Sequence, residues 1–516
     1  MRRRDFLKGL GLASVAGAVP SQLFATEESS SNDFKALVVV EMSGGNDGFN
    51  TFLPADNTPD ITTGWGAFTK MRSADIRPDD RDLTSELKKY IQDDGSLQFG
   101  AVENPYSLDG KVENGYKNGF YFMDENTPFG GKVGINALMP EIAHLALQGK
   151  VAILHNTGNL PKPLTKNDNI RAYPRFSAHN IGTTLMETGQ GGSASLKTGW
   201  LGRLSDELGA VNGGSIYPLN INMSPYGINR MMYSFNAPTL NISSYGVVNF
   251  TFGSTRYESK VNPSALRAFK ASINSFERRD MFRHLVYGSR KKSLEQIDEI
   301  IADLKEVENA FDGSTNFYGD EGLFTFPTAE LHREAHGMES IFGNNFNQPF
   351  KMAAKLIKIA KDKGLSKIVI YLRVGGWDTH HSIVSGHSMN LRGVSTGIGS
   401  FMKAMKSLEL ENSVTVINTS EFGRTLVDNG TGTDHAWGGS YFVVGGAVNG
   451  GNYGTLPEMS FDSDYFLKRG ALVPTTAFTQ QFATISKWLG ASDEQILRIF
   501  PELSNFDKID LGFMKG

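Results

Sequence analysis

Asp378 and His380 stand two residues apart, just after the apolar run Lys367–Val374 and the pair Gly375-Gly376. Glu421 directly follows a second apolar run, Val414–Asn418, by way of Thr419 and Ser420, and Asp434-His435 comes soon after, between Gly432 and Gly438-Gly439. Carboxylate and imidazole are the ligand set of hydrolytic divalent-metal sites. In extended chain, residues two apart point to one side, so Asp378 and His380 can converge on one ion and His381 points elsewhere. Asp47, in the turn Ser43-Gly44-Gly45-Asn46-Asp47-Gly48 after the run Lys35–Val40, is a further ligand candidate. Asp is also common in such turns for its geometry alone. The expected metal set is therefore Asp47, Asp378, His380, Glu421, Asp434 and His435. The ion is a divalent metal, drawn from zinc, manganese, magnesium and calcium.

Three residues are candidates for the chemistry itself. Ser177 precedes an expected helix over 181–188, where a hydroxyl can attack and backbone N–H groups can hold an anion, although Ser there is equally an ordinary N-cap. His155, at the end of Val151–Leu154, can serve as acid, base or ligand, and Arg424 can stabilise departing charge. An ion pair between Glu421 and Arg424 is the plain structural alternative. His144 and His284 fall within helical patterns and read as packing or surface residues. His332 and His336 share a helical face, but nothing nearby completes a motif around them.

The elements that must position these groups read as α/β. Apolar runs at Lys35–Val40, Val151–Leu154, Lys367–Val374 and Val414–Asn418 are buried-strand candidates. Helical spacing appears at Pro140–Lys150, Ser293–Ala310, Asn347–Lys363 and Leu391–Leu408. Alternation of this kind implies a mostly parallel sheet covered on both faces, with ligands at its carboxyl edge. Residues 55–135 and 210–340 read as irregular insertions in one domain spanning 34–512.

Composition excludes several classes. Net charge is −4, with no basic stripe, which argues against nucleic acid. Cysteine is absent, so thiolate metal sites and cysteine nucleophiles are ruled out. No G-x-S-x-G elbow, phosphate loop or dinucleotide fingerprint occurs. Residues 1–25, with Arg2-Arg3-Arg4-Asp5-Phe6-Leu7-Lys8 before the short run Gly9–Val19, have the layout of a bacterial twin-arginine signal. That implies the twin-arginine export machinery as a partner and a periplasmic, cell-surface or extracellular destination. No later run is apolar enough for a membrane-spanning helix.

The motifs also carry a family resemblance. Val39–Pro54 (VVEMSGGNDGFNTFLP), Thr198–Leu204 (TGWLGRL), Gly375–His380 (GGWDTH), Ser420–Thr425 (SEFGRT) and Gly432–Gly451 (GTDHAWGGSYFVVGGAVNGG) resemble the exported bacterial family known as domain of unknown function 1501. That family is similar to the alkaline phosphatase and sulfatase superfamily. The resemblance implies a three-layer α/β/α sandwich, alkaline-phosphatase-like, with one or two divalent metals at the sheet's carboxyl edge. It matches Asp47, Asp378, His380, Asp434 and His435 to the family's acid/histidine motifs, and Glu421 to its E-F-G-R-T element. Near Ser177 the chain departs from the family's Ser-His pair by inserting Ala178 before His179.

The expected function is an exported metal-dependent hydrolase of a phosphate or sulfate ester. The alternative is a non-catalytic exported factor that binds glycans or a partner protein through the Asn-, Gly- and Tyr-rich insertions. An oxidoreductase loaded with its cofactor before export has only the leader in its favour.

Overall fold

The structure, a computed structural model, describes residues 34–89, 119–173, 178–193, 195–213, 215–224, 229–246, 296–316, 321–325 and 346–516. Lys35–Gly516 packs as one compact unit. The candidates Ser177, His284, His332 and His336, and the leader over 1–25, lie outside the described residues.

A nine-stranded sheet organises this unit. Its centre is β1 (Lys35–Met42), paired in parallel with β8 (Lys367–Val374) on one side and β9 (Val414–Thr419) on the other. Each is a largely apolar run because both its faces are covered, as central parallel strands require. Beyond β8 lie the short β6 (Asn220–Asn222) and β7 (Thr239–Asn241). Beyond β9 lie β10 (Gly439–Gly445), β5 (Val151–Gly158) and β11 (Gly451–Gly454), with β12 (Thr476–Ala477) also pairing β5. The strand β10 runs antiparallel to both its neighbours, so it enters the sheet at the edge where β1, β8 and β9 leave it. That reversal brings His435 beside the loops after β8 and β9.

Successive side chains on a strand alternate between faces. Leu37, Val39, Val369, Tyr371 and Ile417 join a core with residues from α3 (His179–Thr188), α4 (Trp200–Leu208), α7 (Phe478–Trp488) and α8 (Asp493–Ile499). The helices α2 (Pro140–Leu147), α5 (Asn347–Asp362) and α6 (Ile383–Ser407) pack together and onto β5 and β8. A buried ion pair fixes α2 to α6, with Arg392 donating to both oxygens of Glu141 at 3.0 and 2.8 Å. A mixed α/β architecture on a large, mostly parallel sheet is thus what the chain adopts.

Two expectations change. The helix expected over Leu391–Leu408 begins at Ile383, immediately after the Asp378–His380 loop, so it fixes that loop from behind. The insertion expected over 210–340 supplies, among its described residues, β6 and β7 to the edge of the main sheet. In the 55–135 region, β3 (Phe120–Met123) and β4 (Val133–Asn136) form a separate three-stranded sheet with β2 (Phe52–Pro54). No helix among the described residues is long and apolar enough to cross a membrane.

Candidate metal centre

The loops leaving β1, β8 and β9 meet the segment entering β10 at one edge of the sheet. There Asp378, His380 and His435 form a tight triangle. His435 Nε2 lies 2.9 Å from Asp378 Oδ1, His380 Nε2 lies 3.2 Å from the same oxygen, and the two Nε2 atoms are 2.9 Å apart. His179, at the start of α3, closes the group from the far side, with Nε2 3.5 Å from Asp378 Oδ2. His179, Asp378 and His435 each offer a ligand atom within 4.8 Å of the others.

Each of these groups is held from behind. His179 Nδ1 lies 2.8 Å from Glu421 Oε1 and His380 Nδ1 lies 3.3 Å from Asp434 Oδ1. A carboxylate only accepts, so these contacts place a proton on each Nδ1 and turn each Nε2 lone pair inward. Carboxylate-backed imidazole of this kind is the usual support of a metal-ligating histidine. Glu421 itself takes the Gly44 backbone N–H at 2.9 and 3.0 Å. The buried Phe422 ring packs 4.3 Å from the His435 ring and 4.9 Å from that of His179, measured between centroids.

Arg424 is the keystone of the loops rather than an open anion binder. Its fully buried guanidinium donates to Gly45 O at 2.8 Å, Thr433 O at 2.9 Å, Trp377 O at 3.1 Å and Asp378 Oδ1 at 2.5 Å, and also to Gly44 O. Burial raises the Asp378 carboxyl, but hydrogen bonds from His435 and Arg424 outweigh it and leave its pKa well below the usual carboxylate range. The approach of the loops leaves no room at Gly44, where φ is +127° and a Cβ would sit 2.4 Å from Asp378 N. Gly44→Ala is therefore expected to lose about 1–3 kcal/mol, seen as a lower urea midpoint. Full stability in that variant would mean the two loops separate freely.

Other expected site residues sit elsewhere. Asp47 is not brought to the cluster: its carboxylate caps α1 (Gly48–Thr51) at Phe49 N and Asn50 N and pairs with Arg72 at 2.7 Å, both side chains fully buried. This is the turn-and-cap role that Asp commonly fills. His155 is buried on β5 against Asn452 at 2.9 Å, and burial lowers its pKa to about 4, which keeps it neutral and away from acid–base work at neutral pH. Glu421 and Asp434, expected as ligands, hydrogen-bond the histidines instead. His381 lies 3.2 Å from Thr431 Oγ1, off the triangle. His179 was missed, although a sequence signal was present: an imidazole two residues after Ser177, at a helix start.

The His179–Glu421 pair predicts a pH dependence. The hydrogen bond to Glu421 raises the His179 pKa despite burial, so its stabilisation is complete below the ordinary value of 6.5 and is lost as pH rises through the folded value. Burial raises the Glu421 carboxyl, but His179 and the Gly44 N–H more than reverse this. Its contribution is present above the ordinary 4.5 and is lost as pH falls through the lowered value. The metal-free protein should therefore draw most from the pair between pH 4.5 and 6.5. Thermal midpoints of His179→Gln measured against pH should fall furthest below wild type inside that window and converge on it at higher and lower pH; an offset that does not change with pH would refute the pairing.

Residues 328–476 match the model of the family described as "Protein of unknown function (DUF1501)". Over that stretch the chain is similar to the DUF1501 family. The stretch holds Asp378, His380, Glu421, Arg424, Asp434 and His435, while His179 lies outside it. No curated protein matches the chain. Among solved structures, the "Crystal structure of Ps i-CgsB in complex with k-i-k-neocarrahexaose" is 10% identical, covers 72% of each chain and has a TM-score of 0.29. The "Crystal structure of Ps i-CgsB" is 10% identical over 71% of each chain, with a TM-score of 0.27. At these scores neither likeness bears on the fold or chemistry of this chain.

Proposed function

We propose that Asp378, His380 and His435 hold one divalent metal ion and that the chain uses it to hydrolyse a phosphate or sulfate ester. The triangle of donors carries this reading. Three electron-pair donors 2.9–3.2 Å apart need either shared protons or a cation between them. Ligands about 2.0–2.2 Å from a tetrahedral ion stand about 3.3–3.6 Å apart, so a small adjustment suffices. Two imidazoles with one carboxylate favour zinc or manganese over magnesium or calcium.

A divalent ion supplies Lewis-acid polarisation and acidifies water. The chain's own groups do the rest. Asp434 and Glu421 fix the histidine tautomers, and Arg424 aims Asp378. His179, 45% exposed at its side chain and backed by Glu421, is placed to accept or return a proton at Nε2. The reading needs neither Ser177 as nucleophile nor Arg424 as an anion clamp, and it takes the layered fold as alkaline-phosphatase-like. It also takes residues 1–25 as the leader that sends the folded chain out through the twin-arginine machinery.

The test is turnover of a panel of phosphate and sulfate esters by the mature protein, before and after exhaustive chelation. Activity lost on chelation and restored by zinc or manganese is the expected result. Turnover indifferent to chelation would overturn the reading. Stoichiometric metal without turnover would favour a non-catalytic binding factor.

A further inference from the structure

We infer that Arg469 is a positioning residue for the cluster, acting through Asp434 to hold His380 in its metal-ready tautomer; this rests on the metal reading above. Arg469 lies in the tight turn Leu467–Ala471, closed by Leu467 N donating to Ala471 O at 2.8 Å. The turn is pinned over the cluster by Val427 N donating to Arg469 O at 3.1 Å and Leu426 N donating to Gly470 O at 3.0 Å. Its guanidinium reaches Asp434 Oδ2, and the other oxygen of that carboxylate faces His380 Nδ1 at 3.3 Å and takes Asn429 Nδ2 at 3.3 Å. Each Asp434 oxygen thus has its own partner, and the carboxylate cannot rotate without breaking the Arg469 pair.

Stability alone does not account for this arrangement. Arg469 sits at φ +62°, ψ +17°, the left-handed region where a glycine would rest without strain. Its side chain is 44% exposed and that of Asp434 31%, the kind of pair that contributes little to stability. A strained backbone carrying a weakly stabilising pair is accounted for if the side chain's task is to orient its partner. Without Arg469, Asp434 keeps only the 3.3 Å hydrogen bond from Asn429 and its contact with His380, so its carboxylate turns more readily, the Nδ1 proton is less firmly fixed, and part of the His380 population presents N–H instead of a lone pair to the ion. Losing an outer-shell partner of a metal-bound histidine typically weakens binding about 10–100-fold.

Arg469→Gly separates the two roles, because it removes the guanidinium and relieves the φ strain together. Zinc titration of the full chain should show a Kd raised at least about tenfold, with the thermal midpoint of the metal-free protein unchanged or higher. Arg469→Lys, which keeps a cation at the same backbone, should recover most of the affinity. Unchanged affinity in Arg469→Gly beside a wild type that binds zinc would overturn the inference. If the wild type binds no metal, the metal reading itself fails, and histidine-selective 15N spectra of metal-free protein still decide the positioning role. His380 should be held as the Nδ1–H tautomer in wild type and become a mixture in Arg469→Gly; identical spectra would overturn the inference.

Discussion

Asp378→Asn is expected to abolish stoichiometric retention of a divalent ion while leaving the fold in place. Asp378 Oδ1 is the point where three groups meet: His435 Nε2 at 2.9 Å, His380 Nε2 at 3.2 Å and the Arg424 guanidinium at 2.5 Å. The amide keeps an oxygen for Arg424, so the loops stay joined. It removes the negative charge and one anionic ligand, and it places an N–H₂ group at the Oδ2 position, facing His179 Nε2. Loss of affinity should exceed the ~100-fold that marks the upper end of outer-shell substitutions. Elemental analysis of the purified variant beside wild type reads this directly, and circular dichroism with a thermal midpoint within a few degrees verifies the fold. Wild-type metal content in Asp378→Asn would remove Asp378 from the ligand set.

Arg424→Met should instead destabilise the whole edge of the sheet, by about 3–5 kcal/mol. The guanidinium is fully buried, and it satisfies the carbonyls of Gly44, Gly45, Trp377 and Thr433 besides the Asp378 carboxylate. Methionine replaces much of the volume and none of the donors, so the buried carbonyls of Gly44, Gly45 and Thr433 lose the guanidinium and that of Trp377 keeps only the Thr379 N–H. Lysine is no substitute, since one ammonium cannot span the fork that these acceptors define. The readout is the denaturant midpoint of metal-free protein, which excludes any contribution from ligand binding. A loss under about 1 kcal/mol would mean that water or neighbouring N–H groups take over those carbonyls, and the keystone role would fall.

These two variants also mark what was legible beforehand. The strands β1, β8 and β9 could be read from KALVVV, KIVIYLRV and VTVIN because buried parallel strands are near-continuous apolar runs. The glycines and acid/histidine clusters that follow them pointed to the edge of the sheet where Asp378, His380 and His435 meet. Direction was not legible. Asp47 and Asp378 both follow a strand through a Gly-Gly turn, yet one faces the buried Arg72 and the other the histidines. Nothing local in sequence identifies Arg72 as the partner of a carboxylate 25 residues away. The same limit applies to Glu421 and Asp434. Whether a carboxylate ligates an ion or backs a histidine depends on a few ångströms set by tertiary packing. His179 had no companion motif of its own, because its partners Glu421 and Asp378 are 242 and about 200 residues further along. The reversal of β10 was hidden as well, since a buried antiparallel strand has the same apolar composition as its parallel neighbours.

The central position of β1 has a consequence for biosynthesis. Among the described residues it is the first strand in chain order, yet both of its hydrogen-bonding neighbours come from residues 367–374 and 414–419. Translation at roughly 5–20 residues per second leaves Lys35–Met42 without its sheet partners for some tens of seconds. During that interval an eight-residue strand with seven fully buried positions in the finished fold is an open edge for aggregation. Co-expressed holdase chaperones that shield that segment while it waits should therefore raise soluble yield more than any substitution at the folded surface.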